Sequence, residues 1–382
     1  MTMKDVGSPT GTRPRIVAAF PRRPCAPAHE TASQCALSGK LAGVLGAEFL
    51  EDYEPVRRPE FAGVYYVPSR TLVHEGAQAE ARPSDVASPD DLFGGVVPHA
   101  FVATKAISHP LVEPGACAPP GWTHAFGERV RQAVLRGVTV FSAADALRAG
   151  ELLLREGPVR IKPVLGTGGR GQSVAHDAAA LKSAVEGLDR EELARCGLVL
   201  EENLEQVETY SVGQARVAGL LTSYVGTQSL TRDHAGQMVY GGSELHFARG
   251  GYEALLGLRI DDAQRQAVQL ARRYDEAAGS CFPALYASRR NYDVARGRNA
   301  AGQPRAGVLE QSWRAGGASF AEACALEALR ADPRLRSLTA FTCERYARDA
   351  ALPRGAQLVY RGDDPEAGFI LKYGGISSYG DT

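Results

Sequence analysis

The sequence lacks the features that mark several large classes of protein. Its seven cysteines lie at least ten residues apart, so no Cys-x-x-Cys pair exists to hold zinc or form a redox dithiol, and buried free thiols are expected. No stretch approaches the roughly 18 apolar residues of a transmembrane helix. The polar start does not resemble a secretory signal. We therefore expect a cytoplasmic protein.

An excess of charge of either sign is also missing. The 43 lysines and arginines balance 44 aspartates and glutamates, which gives a formal net charge of −1. Binding to nucleic acid or to anionic membranes usually depends on a positive excess, so neither is expected as a partner. With 382 residues, 44% of them hydrophobic, the chain can form two or three packed units that act on small molecules.

The first part of the chain predicts a small α/β domain at 15–125. Residues 1–14 are polar and are expected to be disordered. The segments that define the domain are a strand at 15–20, a helix within 31–45 and apolar runs at 63–67 and 96–104. Several prolines between 110 and 120 then predict a linker, because proline continues neither a helix nor a central strand.

The next segment, 126–199, is predicted to be a subdomain built around a hairpin. Ser142 and Asp177 each have the position of a helix N-cap. The predicted order is a helix at 124–135, a strand at 138–141, a helix that stops at Gly157, strands at 159–163 and 172–175, and a further helix.

The remaining residues, 200–382, predict a larger unit rich in strands. Its predicted elements are strand-like sequence at 208–225, a loose connection at 236–251, a helix at 261–278 closed by Gly279, two strands around a turn at 299–304, and a helix at Ser319 whose Glu322 completes a capping box. The segment 355–382 predicts strands that end in a tail rich in glycine, serine and tyrosine.

A glycine-rich loop lies between the strands at 159–163 and 172–175. Gly166, Gly168 and Gly171 satisfy GxGxxG, but a Rossmann site needs a helix to begin at the third glycine, whereas a strand follows here. The Gly-Lys-Ser/Thr of a Walker A loop and the HRD and DFG segments of a kinase are absent. The loop can therefore cover a polyphosphate with backbone N–H groups while Lys162 adds positive charge, or it is simply a flexible surface hairpin. Only six residues are lysines, which makes Lys162 informative.

Two carboxylates flank the predicted turn at 299–304. If the turn is centred there, Asp293 and Glu310 face each other across an antiparallel pair with Cβ atoms about 5 Å apart. A magnesium ion that bridges to phosphates would remove their repulsion. Strand alternation places Ser312 and Arg314 on the face of Glu310. The alternative is that the carboxylates form ordinary surface ion pairs.

Together these residues resemble the ATP-grasp superfamily from 137 to 326. In that superfamily a lysine precedes a glycine-rich loop, as Lys162 does here. A hinge strand carries two glutamates seven residues apart, as LVLEENLEQVE does with Glu201 and Glu208. An aspartate then precedes a Glu-x-Asn-x-Arg pattern, which is EQSWR here. The resemblance implies an α/β fold in which two lobes clasp ATP, preceded by a small N-terminal α/β domain. It places the chain in a proteobacterial branch of the superfamily, and this placement indicates no particular substrate.

The resemblance also implies the site residues, with ATP and one or two Mg²⁺ as cofactors. Ser312 stands where the superfamily usually has asparagine, so the number of metal ions stays open. The implied contacts are phosphate to Lys105, Lys162, Gly166, Gly168, Gly169, Arg170 and Gly171; adenine to Glu201, Glu202 and Leu204; ribose to Glu208; metal to Asp293, Glu310 and Ser312; and the transferred group to Arg314 and Lys162. Arg129 or Arg131 are alternatives to Lys105.

The reaction implied is that of an ATP-dependent ligase, in which a carboxylate becomes an acyl phosphate that an amine or similar nucleophile displaces. A nucleotide-binding protein without catalysis and a phosphotransferase are the alternatives. His246 and Arg249 are expected in a substrate loop at 241–251, or that segment is a connection without a catalytic role. The acid, the nucleophile and any homo-oligomer remain open.

Overall fold

A computed structural model describes residues 16–20, 26–51, 53, 63–74, 83–166 and 171–380. The start predicted to be disordered, 1–14, lies outside the described residues. The strands are β1 Ile16–Phe20, β2 Glu48–Leu50, β3 Val64–Pro68, β4 Leu72–Val73, β5 Gly95–Val97, β6 Gly137–Val140, β7 Val159–Pro163, β8 Ser173–Ala175, β9 Leu198–Glu202, β10 Glu205–Val217, β11 Leu220–Arg232, β12 Met238–Arg249, β13 Tyr286–Ala287, β14 Arg289–Arg298, β15 Pro304–Ser312, β16 Ser337–Arg345, β17 Gln357–Asp364 and β18 Gly368–Tyr379.

In the described residues the strands form four separate sheets, and helices connect many of the strands. They are α1 Ala28–Leu45, α2 His124–Val130, α3 Ala143–Leu154, α4 Ala178–Glu186, α5 Arg190–Cys196, α6 Tyr252–Leu256, α7 Asp262–Cys281 and α8 Ser319–Ala331, with 3₁₀ turns at Ala100–Ala103 and Lys105–Ser108. Near the N-terminus, β2-β1-β3 form a parallel sheet and β13-β5-β4 form a second small sheet. None of the helices in the described ranges is long and apolar enough to span a membrane.

The four-stranded sheet β6-β9-β7-β8 carries the glycine loop between β7 and β8. Its helices begin where the sequence predicts, because Ser142 accepts from the backbone N–H of Asp145 and Asp177 accepts from that of Ala180. Apolar side chains of α3 and α4, including Ala149 and Leu181, pack on the sheet to form a core of their own. We refer to this sheet and its helices as the lid.

The largest sheet has eight antiparallel strands in the order β15-β14-β10-β11-β12-β16-β18-β17. Alternate side chains point to opposite faces. One face, with Val212 and Tyr292, packs on α7, and the other, with Tyr224 and Leu245, packs on α8. Asp293 follows Tyr292 and therefore lies on the α8 face.

The structure corrects four expectations about elements. The helix predicted at 124–135 ends at Val130, and the long helix continues through Gly279 to Cys281. The segment 236–251 is not a loose connection, because β12 pairs with both β11 and β16, and Gly242 adopts φ 135° beside a bulge. The capping box at Ser319 is also wrong, since Glu322 is fully buried and bonds to Arg289 instead.

Candidate active site

The lid presents a buried ion cluster at its hinge strand. Lys162 Nζ, on β7, donates to Glu201 Oε1, on β9, at 2.9 Å, and both side chains are buried. His109 Nε2 lies 3.3 Å from the other carboxylate oxygen. Burial by itself raises the pKa of Glu201, but the charge of Lys162 and the contact with His109 hold that pKa at about 2. The carboxylate is therefore ionised and neutralised by the protein itself.

Lys105 joins the lid to the large sheet. It begins a 3₁₀ turn, its side chain is buried, and its Nζ donates to the Gly166 carbonyl at 3.1 Å at the entry to the glycine loop. The same Nζ lies 2.6 Å from Glu310 Oε2. One ammonium group thus contacts both the predicted phosphate loop and a predicted metal ligand.

Asp293 and Glu310 face each other in register on β14 and β15, as the turn position predicts. A bulge follows Asp293 on this strand pair. The Asp293 carboxylate accepts from Gln228 Nε2 at 2.8 Å and is 3.1 Å from the Asn291 amide. Burial and the charge of Glu310 raise the pKa of Asp293 to about 6. The second carboxylate thus keeps the pKa of Asp293 high, in contrast to that of Glu201, although Lys105 pairs with Glu310.

Ser312 ends β15 at the edge of this site, and Arg314 follows two residues later. Ser312 lies opposite Asn291, and Arg289 Nη1 donates to the carbonyls of Ser312 at 3.1 Å and Arg314 at 2.6 Å. Burial and the neighbouring Arg289 lower the pKa of Arg314. Arg314 Nη1 donates to the Ala315 carbonyl at 2.7 Å, and the charges of Glu310 and Asp293 act on its guanidinium.

The residues predicted for adenine and ribose lie along the hinge between the lid and the large sheet. Glu202 Oε1 accepts from the backbone N–H of Arg136 at 3.0 Å, and Leu204 is buried in a small apolar cluster. Glu208 is exposed on β10 and accepts from the Tyr210 hydroxyl at 3.0 Å. Glu201 points into the ion cluster with Lys162.

The glycine loop is described only at its ends. Gly166 donates its N–H to the Pro163 carbonyl at 3.4 Å, and Gly171 has a φ of 75°, which suits glycine. The predicted phosphate contacts Gly168, Gly169 and Arg170 lie outside the described residues.

The expected substrate loop is wrong, because its residues belong to β12. His246 Nδ1 bonds to Thr339 Oγ1 on β16 at 3.0 Å. It lies on the face opposite Asp293, since it neighbours Leu245 of the α8 face. Arg249 donates to backbone carbonyls at the end of α8, including that of Asp332 at 2.9 Å. The structure therefore does not bring either side chain to the carboxylate pair.

Sequence reasoning missed several residues of the site. Asn291 could have been found, since strand alternation places it on the face of Asp293 two residues away. Gln228 and His109 come from distant segments, 65 and 92 residues from their partners Asp293 and Glu201. A buried ion pair, Arg289 with Glu322, supports the site from α8 and has no local sequence signal.

The donors of the carboxylate pair suit a cation that arrives with phosphates. Within the described parts of the chain, no cluster of three or more histidine, cysteine, aspartate or glutamate side chains could hold a metal alone. Magnesium usually needs only one or two carboxylates, because water and substrate phosphates complete its shell. Asp293, Glu310 and the Ser312 hydroxyl are such a set, since Asp293 and Glu310 face each other in register and Ser312 follows two residues later on β15.

A lid with a glycine loop, set against a large antiparallel sheet that carries a carboxylate pair, defines an ATP-grasp fold. N5-carboxyaminoimidazole synthetase from Staphylococcus aureus is similar in structure, with 11% identity and a TM-score of 0.50 over 95% of this chain and 93% of that one. Biotin carboxylase from Campylobacter jejuni has 10% identity and a TM-score of 0.49 over 95% of this chain and 87% of that one.

The family can be stated more narrowly. The model of the family described as "Protein of unknown function (DUF3182)" matches residues 17–374, and the chain belongs to that family. A search of curated proteins with the whole sequence finds no match. At 11% identity the synthetase structure shows the fold alone, and the reaction has to be argued from the site.

Proposed function

We propose that the protein is an ATP- and Mg²⁺-dependent ligase. A small-molecule carboxylate would take the γ-phosphoryl group of ATP to give an acyl phosphate and ADP, and an amine or similar nucleophile would then attack the acyl carbon and displace phosphate. The observation that carries this proposal is the position of Lys105. Its ammonium lies 3.1 Å from the carbonyl at the entry of the glycine loop and 2.6 Å from Glu310. A polyphosphate that lies between the glycine loop and the Asp293–Glu310 pair would therefore contact the Lys105 ammonium, at the point where the lid joins the large sheet.

The lid supplies the nucleotide end of the site. Lys162 and Glu201 form a fixed, charge-neutral pair on adjacent strands. In our proposal the backbone next to Glu201, at Glu202 and Leu204, binds the adenine, and the exposed Glu208 accepts hydrogen bonds from the ribose hydroxyls. The glycine-loop amides and Lys162 would hold the β-phosphate region, and Lys162 would exchange part of its contact with Glu201 for a phosphate oxygen.

The carboxylate pair supplies the metal end. Asp293, Glu310 and Ser312 would hold magnesium, which when bound would neutralise negative charge on the phosphates. Arg314, beside the pair, would stabilise negative charge on the transferred phosphoryl group. The protein's part in the transfer is to position groups and offset charge, since phosphoryl transfer needs little covalent help.

The test is release of ADP and phosphate with panels of carboxylic acids and amines, each supplied alone and in pairs. A ligase releases ADP only when both substrates are present, and mass spectrometry then shows an amide. An Asp293→Asn, Glu310→Gln double variant is the control and should show no turnover. Tight nucleotide binding without turnover for any pair would indicate a binding protein, and a stable phosphorylated product would indicate a phosphotransferase.

A further inference from the structure

We infer that Asn291 supplies an amide oxygen to the same cation that Asp293 and Glu310 would hold, and that Tyr224 orients this amide. The inference rests on the proposed function, because it concerns the metal of that site. It adds a ligand that comes from β14, the strand of Asp293, and not from β15.

Asn291 has the right position for this role. It precedes Asp293 by two residues on β14, so both side chains lie on the α8 face. Asn291 is paired with Ser312 just as Asp293 is paired with Glu310, and the four residues form two neighbouring cross-strand pairs. Directly opposite Cβ atoms lie about 5 Å apart, so all four side chains reach one small space. Asn291 is 6% exposed.

The hydrogen bonds of Tyr224 decide which way the amide points. The Tyr224 hydroxyl lies 2.5 Å from Glu322 Oε1 and 2.7 Å from the amide oxygen of Asn291, but a phenol has only one hydrogen to donate. Glu322 is held by two nitrogens of Arg289, and an ionised carboxylate can only accept. The phenol hydrogen therefore goes to Glu322. Asn291 must then donate to Tyr224, which requires the amide nitrogen at that position.

This orientation turns the amide oxygen toward Asp293. Exchange of the oxygen and nitrogen leaves the shape of the side chain unchanged, and Ser211 Oγ, at 2.7 Å, accepts equally well from the nitrogen. Asp293 Oδ1 does not need the amide as a donor, because Gln228 already donates to it at 2.8 Å.

Two acceptor oxygens are then 3.1 Å apart, at the positions of Asp293 Oδ1 and the Asn291 amide atom nearest to it. Neighbouring oxygens of an octahedral magnesium shell lie about 2.9 Å apart, given metal to oxygen distances of 2.0–2.1 Å. The spacing therefore suits two ligands of one magnesium ion, and the cation would replace the repulsion between the oxygens with attraction to both.

The test measures Mn²⁺ binding in the presence of ADP, by electron paramagnetic resonance of the free ion, and does not depend on turnover. Asn291→Ser should weaken Mn²⁺ binding by about tenfold or more, while metal-free ADP binding is unchanged. Asn291→Ser combined with Ser312→Asn should recover most of the affinity, because the two positions face each other. Tyr224→Phe keeps the ring and the asparagine, and it should weaken Mn²⁺ binding severalfold by releasing the amide.

The outcomes separate this inference from the function it rests on. If wild-type protein binds no Mn²⁺ with ADP, both fail. If wild-type binds and Asp293→Asn does not, but Asn291→Ser binds as tightly as wild-type, the metal site stands and the role of Asn291 is overturned. If the paired exchange binds as weakly as Asn291→Ser, the amide has only a structural role. Thermal unfolding of each variant shows that the comparison concerns folded protein.

Discussion

The buried Glu201 in the lid and the partly buried Asp293 on the large sheet are carboxylates with opposite electrostatics. Lys162 and His109 surround Glu201, and its pKa is held at about 2 despite burial. Asp293 faces Glu310, and its pKa is raised to about 6 by burial and by that second charge. The difference separates two environments: Glu201 has its counter-charge within the lid, whereas Asp293 lies beside a second carboxylate, which suits the cation site proposed above.

The largest expected effect is on stability, from Glu201→Gln. The amide leaves the Lys162 ammonium buried without a counter-charge, so the free energy of unfolding should fall by about 3–5 kcal/mol. Urea denaturation followed by circular dichroism measures it. The neighbouring Glu202→Gln is the matched control, because Glu202 pairs with Arg305 at 3.4 Å near the surface, and it should lose about 1 kcal/mol or less. Equal losses would remove the distinction drawn for the lid.

For Asp293→Asn we expect a loss of turnover without a loss of stability, in contrast to Glu201→Gln. ADP release with an active acid and amine should fall by about 10²–10³-fold, since a ligand is lost from the magnesium that would offset the charge of the phosphates. Thermal stability should not fall, because the repulsion with Glu310 is relieved. Asp275→Asn is the control: its pKa is also raised by burial, but it bonds to Tyr292 on the α7 face. That variant should keep wild-type turnover, and an equal loss there would show that any buried carboxylate matters.

A smaller effect is expected from Gln228→Leu. Its Nε2 donates to Asp293 at 2.8 Å, and a hydrogen bond to a charged group is worth about 1.5 kcal/mol or more. The variant should lose about that much stability at pH 7.5 and less at pH 5.5, where Asp293 is protonated. In the control Gln214→Leu, the lost partner is the neutral Ser223 hydroxyl, so the loss should be smaller and independent of pH. A pH-independent loss for Gln228→Leu would contradict the charge on Asp293.

Features set by neighbouring residues were predictable from the sequence. The caps at Ser142 and Asp177 are confirmed, as is the pairing of Asp293 with Glu310, because each depends on a short local pattern. The strand at β7 is confirmed for the same reason. The ATP-grasp fold was also predictable, since its motifs occur in order along the chain.

Features set by distant contacts were not predictable. Glu322 has the spacing of a capping residue, yet it is buried against Arg289, 33 residues away. Arg249 lies among glycines whose pattern suggests a loop. The segment is a strand instead, because it pairs with two other strands, and Arg249 donates to backbone carbonyls near the end of α8. In both cases tertiary packing overrides a local pattern, and no spacing in the sequence encodes the partner.

The smallest expected effect is the pH dependence of stability, which compares the two carboxylates directly. The pKa of Asp293 is about 6 in the folded protein, above its ordinary 3.8, so ionisation destabilises the fold and acidification relieves it. From pH 7.5 to 5.5 the free energy of unfolding of the wild type should rise by about 0.8 kcal/mol relative to that of Asp293→Asn in urea denaturation.

The pKa of Glu201 is lowered from 4.5 to about 2, so the stabilisation that Glu201 gives is fully present above pH 4.5 and is lost only as the pH falls toward 2. Relative to Glu202→Gln, Glu201→Gln should therefore show a constant deficit across the same range. A deficit that changes between pH 7.5 and 5.5 would mean that the lid cluster is not the self-neutralised site proposed for it.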